Sequence, residues 1–222
     1  MGWLSIALNS SIGKKFVMAL TGICLILFLI IHLINNLTLF AGPDVFNTVV
    51  KGLDGIKPLI RVIEVILALI FIFHIYEGVR LWWENKKARP VSYTVNGSSK
   101  NSDLFSRTMI WTGSIVFIFL VIHLRTLWVT FNFDSTVKEG HQYYNAVVSV
   151  FQNPYYAFLY VIAVILLGFH LNHGFQSAFQ TFGWNHKKYF PFIKRLGFIY
   201  SLLTALAFAS IPIYFLFFFG GK

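Results

Sequence analysis

The chain has 222 residues, 57% of them hydrophobic and only 12% charged, with a formal net charge of +10. A soluble domain of this size has no core large enough for so much apolar side chain, 25 phenylalanines included, so runs of this kind mark membrane-spanning helices. The single Cys24 excludes an internal disulfide and a cysteine-rich metal site. No C-x-x-C-H stretch occurs for covalent haem attachment, and a chain mostly embedded in lipid does not bind nucleic acid.

In chain order, the first apolar run covers 16–40 and follows Lys14-Lys15. It is too long for a signal-peptide core and lacks a small-residue cleavage site, so a retained helix is expected. Further runs cover 58–83, 108–131, 155–182 and 196–219, each near or above the ~20 residues that cross a bilayer. The expected fold is an all-α membrane protein, one domain over 1–222, with five transmembrane helices. The fifth run, rich in phenylalanine and carrying Pro212, reads as a packing helix.

An odd number of spans puts the termini on opposite sides. Of the 18 lysines and arginines, twelve fall with the N-terminus, the 84–107 loop (Arg80 counted with it) and the 183–195 loop, and six fall on the other side. The positive-inside rule therefore predicts a cytoplasmic N-terminus and an outer C-terminus; the expected setting is a bacterial inner membrane. Trp82, Trp83, Trp111, Trp128 and Trp184 lie near span ends, where amphipathic rings settle. The basic inner face suits anionic lipid or an acidic soluble partner. Asn36-Leu37-Thr38 and Asn96-Gly97-Ser98 match the glycosylation pattern but lie at a membrane edge and on the inner side, and carry no weight.

His141 and His186 lie outside the spans, whereas His32, His74, His123, His170 and His173 lie within them. An ionisable residue at membrane depth marks a functional site by default. From Lys15 to His32 is 17 residues; from Pro58 to His74, Arg107 to His123 and Pro154 to His170 is 16 each. Because successive helices run in opposite directions, this register makes an outer layer (His32, His123) and an inner layer (His74, His170), roughly 10 Å apart at ~1.5 Å per residue.

The surroundings repeat as well. LTGICLILFLIIHL (20–33) aligns with WTGSIVFIFLVIHL (111–124), and FHIYEG (73–78) with FHLNHG (169–174). Spans one and two and spans three and four read as copies of one two-helix unit, with a site between the copies. A bare transition metal recruits carboxylate or cysteine as well as imidazole, yet Glu64 and Glu77 are the only acids within the spans and neither is matched between the copies. Haem iron needs only one imidazole per face. Two bis-histidine haems are therefore expected, His32 with His123 (outer) and His74 with His170 (inner), with His74 and His170 each followed four residues later by Gly78 or Gly174 to leave room for the macrocycle. Thr21 and Thr112 fall on the same helical faces as His32 and His123. His173 breaks the Phe-His-x-x-x-Gly register and is left to packing, proton transfer or a haem propionate. With both axial positions filled, the expected role is electron transfer.

FLIIHLINN around His32, FHIYEG around His74, VIHLRTL around His123 and GFHLNHGFQSAFQTFGW around His170 together resemble the di-haem cytochrome b subunit of succinate dehydrogenase or fumarate reductase over nearly the whole chain. That resemblance implies the same ligand pairs and a membrane-anchor role in succinate:quinone oxidoreductase. It also implies a partner flavoprotein carrying FAD and an iron–sulfur subunit on the cytoplasmic face, with quinone, menaquinone in di-haem members, reacting in this subunit. The dicarboxylate site lies outside this chain. Some members carry a glutamate two residues before the fourth histidine; here that position is Gly168. Quinone candidates are Asn35, Asn36 and Asp44, which also suit helix capping and turning. Arg80, Arg107 and Lys187 are placed to meet inner-haem propionates. The competing readings are a di-haem cytochrome b of a hydrogenase or formate dehydrogenase, and a haem-free metal or proton transporter.

Overall fold

The computed structural model describes residues 2–88 and 104–220. It is helical throughout, with no strand among the described residues. The elements are α1 (Trp3–Asn9), α2 (Ser11–Leu37), α3 (Pro43–Gly55), α4 (Lys57–Lys87), α5 (Leu104–Arg107), α6 (Met109–His123), α7 (Val129–Phe133), α8 (Ser135–Glu139), α9 (Tyr143–Gln152), α10 (Pro154–Thr181) and α11 (Phe190–Phe217). Among them, five apolar segments are long enough to cross a membrane: Ser11–Ala41, Lys57–Lys87, Met109–Phe133, Pro154–Thr181 and Phe190–Phe217. The expected five-span, all-α architecture is thus what forms. The helices overrun the apolar runs where polar turns extend them into the interface: α2 begins at Ser11, capped by Ser10 Oγ accepting from Gly13 N, and α4 continues to Lys87. Residues 89–103, with Asn96 and most of the expected inner loop, lie outside the described residues.

Local sequence explains the ends. Proline stands in the first turn of α3, α4, α10 and α11, where its missing N–H costs nothing. Gly42 (φ 93°) supplies the left-handed turn that leads into α3, and Gly183 (φ 84°) closes α10. There Trp184 N donates to Phe179 O and Gly183 N to Gln180 O, while the Phe179 and Trp184 rings pack 5.4 Å apart, a Schellman ending with its apolar contact. α11 continues through Pro212 to Phe217.

α4 packs on α2, α2 on α10, α10 on α6, and α6 closes the ring against α4. This leaves α2 diagonally opposite α6, and α4 opposite α10. The fifth span, α11, lies along α10 and α2. Its approach to α10 is close: a Cβ at Gly168 would stand 3.0 Å from Ala205 Cβ, and one at Gly197 would stand 2.8 Å from the Phe175 ring. Side chains along α4, such as Val65, Ile66, Leu69 and Ile72, are exposed on the outside of the bundle, as suits a surface solvated by acyl chains.

Two clusters hold the bundle. One joins Ile26 of α2, Leu171 and Phe175 of α10, and Ile193 of α11. The larger one is an outer cap, in which α3 and α9 fold back so that Phe46, Tyr143, Tyr144, Val147 and Phe151 cover Tyr160, Leu127 and Phe215. The connections 41–57 and 132–154 lie between the five apolar runs. Their short amphipathic helices escaped a reading based on span-length apolar runs.

Candidate functional site

The diagonal arrangement brings the four register histidines together in two pairs. The His32 and His123 ring centroids lie 5.8 Å apart at 86°, between α2 and α6. The His74 and His170 centroids lie 6.2 Å apart at 69°, between α4 and α10. It is His170 whose ring faces His74; His173 lies one turn further inward. A metal–nitrogen bond of ~2 Å on each side, plus ~1 Å from each bonded nitrogen to its ring centre, puts two axial imidazoles ~6 Å apart between centroids. Both pairs match that spacing. Among the described residues no group of three or more His, Cys, Asp or Glu could hold a metal, so each pair offers two nitrogens where a bare ion wants about four donors. The donor set suits a group that brings its own equatorial nitrogens.

The surroundings of the two pairs differ. The outer pair sits in an aromatic box: Phe28 stacks on His32 at 5.3 Å, Phe208 of α11 lies 5.9 Å from His32, and Phe119 and Tyr160 flank His123 at 5.7 and 5.8 Å. The fifth span therefore contributes a ring to the site as well as packing. Immediately after His123 the chain makes a π-helical turn, Leu124–Trp128, a feature common at functional sites. It has no counterpart after His32, where α2 continues to Leu37.

At the inner pair the Thr-Gly steps take over. Thr21 Oγ1 lies 3.2 Å from His74 Nδ1, and a Cβ at Gly22 would lie 3.5 Å from His74 Cε1. A Cβ at Gly113 would lie 3.2 Å from His170 Cε1, so the absent side chain lets that ring approach the α6 backbone. His170 Nδ1 is buried without a hydrogen-bond partner among the described residues. Thr21 was expected to share a face with His32, on its own helix; its hydroxyl and Gly22 instead meet His74 on the adjacent α4.

Gly78 faces the Met18 methyl, 3.4 Å from where its Cβ would be, and a Cβ at Gly174 would meet nothing within 4 Å. Gly168 turns toward α11, away from the histidines. Asn36 Nδ2 donates to His32 O at 2.7 Å, tying it to its own helix, and Asp44 is exposed in the first turn of α3. Asn35 Oδ1 is buried with no partner among the described residues. Arg80 is engaged by Glu77, Glu84 and Asn9, and Glu84 also takes Lys14 at 2.7 Å.

The sequence reading missed a second polar cluster, on the outer side. Glu64 accepts from Arg61 at 2.6 Å and from Trp128 Nε1 at 2.9 Å, and Arg61 also donates to Asn132 at 2.6 Å. Asp54 accepts from Lys57 at 2.8 Å and from Tyr143 at 2.6 Å. These residues line one pocket. The Arg61–Glu64 i,i+3 spacing was visible in the sequence, but its partners Trp128 and Asn132 lie on the neighbouring third span. For Asp54, desolvation works upward, yet the Lys57 and Tyr143 hydrogen bonds outweigh it and hold the carboxyl below the usual carboxylate range. Burial first, and then Asp54, push the Tyr143 hydroxyl up to about 12.

The family model described as succinate dehydrogenase/fumarate reductase transmembrane subunit matches residues 16–100 and 85–211. The two matched segments overlap between the second and third spans, where the two-helix repeat divides the chain. No curated protein and no solved structure matches. With the match covering most of the chain, and five apolar helices of the right length, the protein belongs to the succinate dehydrogenase/fumarate reductase transmembrane subunit family.

Proposed function

We propose that this chain is the di-haem cytochrome b anchor of a succinate:quinone oxidoreductase, relaying electrons between an iron–sulfur subunit on its inner face and quinone in the membrane. The observation that carries the reading is the pair of diagonal imidazole couples, 5.8 and 6.2 Å apart between centroids, in a bundle with no third metal-binding side chain beside either among the described residues. His32 and His123 would hold the outer haem, and His74 and His170 the inner one. When bound, such a haem supplies one-electron transfer without an open coordination position. The chain's own contribution is to set the ligand spacing, exclude water with the aromatic box around the outer pair, and keep backbone close to the rings at Gly22 and Gly113. Gly174, where a Cβ would meet nothing within 4 Å, fits a position kept open for a flat ring.

Quinone would react on the outer side. Asn35, one turn beyond His32 with a buried unpartnered oxygen, is the best supported of the three candidates; Asn36 and Asp44 have the local roles described above. The pocket lined by Arg61, Glu64, Trp128 and Asn132 adds donors and a carboxylate at the same end. The cationic inner face, with the N-terminus inside, suits the iron–sulfur and FAD-bearing partners in a bacterial inner membrane. Gly168 leaves no carboxylate beside His170 for a transmembrane proton path.

A pyridine haemochrome assay on the purified chain tests the reading. About two b-type haems per chain are expected; none would return the chain to the haem-free transporter reading. Copurification of hydrogenase or formate dehydrogenase subunits in place of a flavoprotein would sink the assignment to succinate:quinone chemistry.

A further inference from the structure

In each histidine pair one ring has a hydroxyl at its Nδ1, and that hydroxyl has another acceptor within reach of its proton. Thr21 Oγ1, 3.2 Å from His74 Nδ1, donates to Val17 O at 2.8 Å. Tyr160 OH, 3.3 Å from His123 Nδ1, lies 3.1 Å from Thr126 Oγ1, and Thr126 donates to Ile122 O at 2.9 Å. A hydroxyl has one proton and two lone pairs. Thr21, having given its proton to Val17 O, can only accept from His74. Thr126, having given its proton to Ile122 O, accepts from Tyr160, and Tyr160 in turn can only accept from His123. With the protons so directed, both Nδ1 atoms carry hydrogen, which leaves Nε2 of both rings with its lone pair free.

We infer that Thr21 and Tyr160 are positioning residues that fix the metal-ligating tautomer of His74 and His123, one for each haem site. The inference rests on the bis-histidine reading above. Helix back-bonding alone accounts for the proton of Thr21 but not for the imidazole placed against its lone pair. Thr112 provides the internal control. It occupies the repeat position of Thr21 and makes the same backbone bonds, to Thr108 O at 3.2 Å and Met109 O at 3.1 Å, yet His170 Nδ1 stays unpartnered among the described residues. The fixed tautomer therefore belongs to one particular ring of the inner pair. An acceptor on Nδ1–H makes the ligating nitrogen more basic and so favours oxidised over reduced iron.

The test uses the full chain in its membrane complex, with the two haems told apart by which signal His74→Ala and His32→Ala abolish. Redox titration of the b-type absorption is then run on Thr21→Val, Thr21→Ser and Tyr160→Phe. Thr21→Val is expected to raise the midpoint potential of the inner haem only, Tyr160→Phe that of the outer haem only, and Thr21→Ser to match the parent. Unchanged potentials in both hydroxyl-deleting variants, or a shift in the opposite haem, overturn the inference while leaving the di-haem reading intact. If Thr21→Val loses the inner haem altogether, retention in Thr21→Ser supports the hydroxyl role and loss in Thr21→Ser overturns it. A parent complex without two haems overturns both.

Discussion

The inner and outer histidine pairs come from the same duplicated two-helix unit, yet they are finished differently. At the inner pair each ring rests on the Thr-Gly step of the preceding span in its own copy, through Thr21 and Gly22 for His74 and through Gly113 for His170. At the outer pair the repeat is broken. Glu64 and Tyr160 both stand ten residues before their helix's inner histidine, but Glu64 turns to Arg61 and Trp128, whereas Tyr160 turns to His123. The elements that impose this asymmetry occur once: α11 brings Phe208, the π-helical turn follows only His123, and the outer cap covers Tyr160. The repeat supplies the histidine register twice over; elements without a copy decide what surrounds each imidazole.

The largest expected effect separates the pairs outright. His170→Ala should remove the inner haem and leave the outer one, and His32→Ala should do the reverse, each halving the haemochrome yield per chain. Loss of both haems from either variant would mean that the pairs fold as one site.

Next comes Gly168→Glu, which puts a carboxylate two residues before His170, on the face turned toward α11. A Cβ there already stands 3.0 Å from Ala205, so overpacking of about 1–3 kcal/mol adds to the cost of a carboxylate wedged against α11. The measured outcome should be a lower thermal midpoint in detergent, with both helices of the inner pair affected. A variant as stable as the parent would show that α11 yields there.

A finer comparison lies within the inner pair. Gly113→Ala puts a methyl 3.2 Å from the His170 ring, whereas Gly22→Ala puts one at an ordinary 3.5 Å from His74. Haem retention under dilution should fall in the first variant and barely change in the second, and the outer haem should be indifferent to both. Equal effects would make the two copies equivalent after all.

The smallest effect probes the outer cap. Tyr143→Phe removes a hydrogen bond to the Asp54 carboxylate worth about 1.5–3 kcal/mol. With the Asp54 pKa depressed, its contribution is lost as pH falls through the folded value. With the Tyr143 pKa raised to about 12, its contribution is present in full below the ordinary tyrosine value and lost as pH rises from there through the folded value. Stability of the parent should hold in full between roughly pH 4 and pH 10 and fall off on both sides. Tyr143→Phe should flatten both limbs, as read from thermal midpoints across that range, with haem content unchanged.

Much of the site was legible along the chain because membrane helices are long and nearly straight. Sixteen residues from an interface put a side chain at a fixed depth whatever the neighbours do, so His32, His74, His123 and His170 could be layered and paired by counting. The same register put His170 rather than His173 opposite His74, which is the ring the structure brings there. What counting could not give was azimuth. Thr21 lies eleven residues before His32 and faces the same way along α2, which grouped it with the outer pair; only the packing of α2 against α4 brings its hydroxyl to His74. The cap helices α3 and α9 escaped because their apolar faces are too short to register as spans, and Glu64 could not be assigned because its partner Trp128 lies 64 residues away.

By itself, then, the sequence determined the solvent the protein folds in, the number of spans, the duplication and the depth of four imidazoles. These follow from hydropathy and a constant rise per residue, which act along one helix at a time. The tertiary structure alone decided which helices stand diagonally opposite and which hydroxyl meets which ring. It also turned Gly168, two residues before the fourth-span histidine, toward the fifth span. Those outcomes depend on helix rotation, and rotation is set by the fit of small and large side chains between neighbours, as at Gly168 against Ala205 and Gly197 against Phe175.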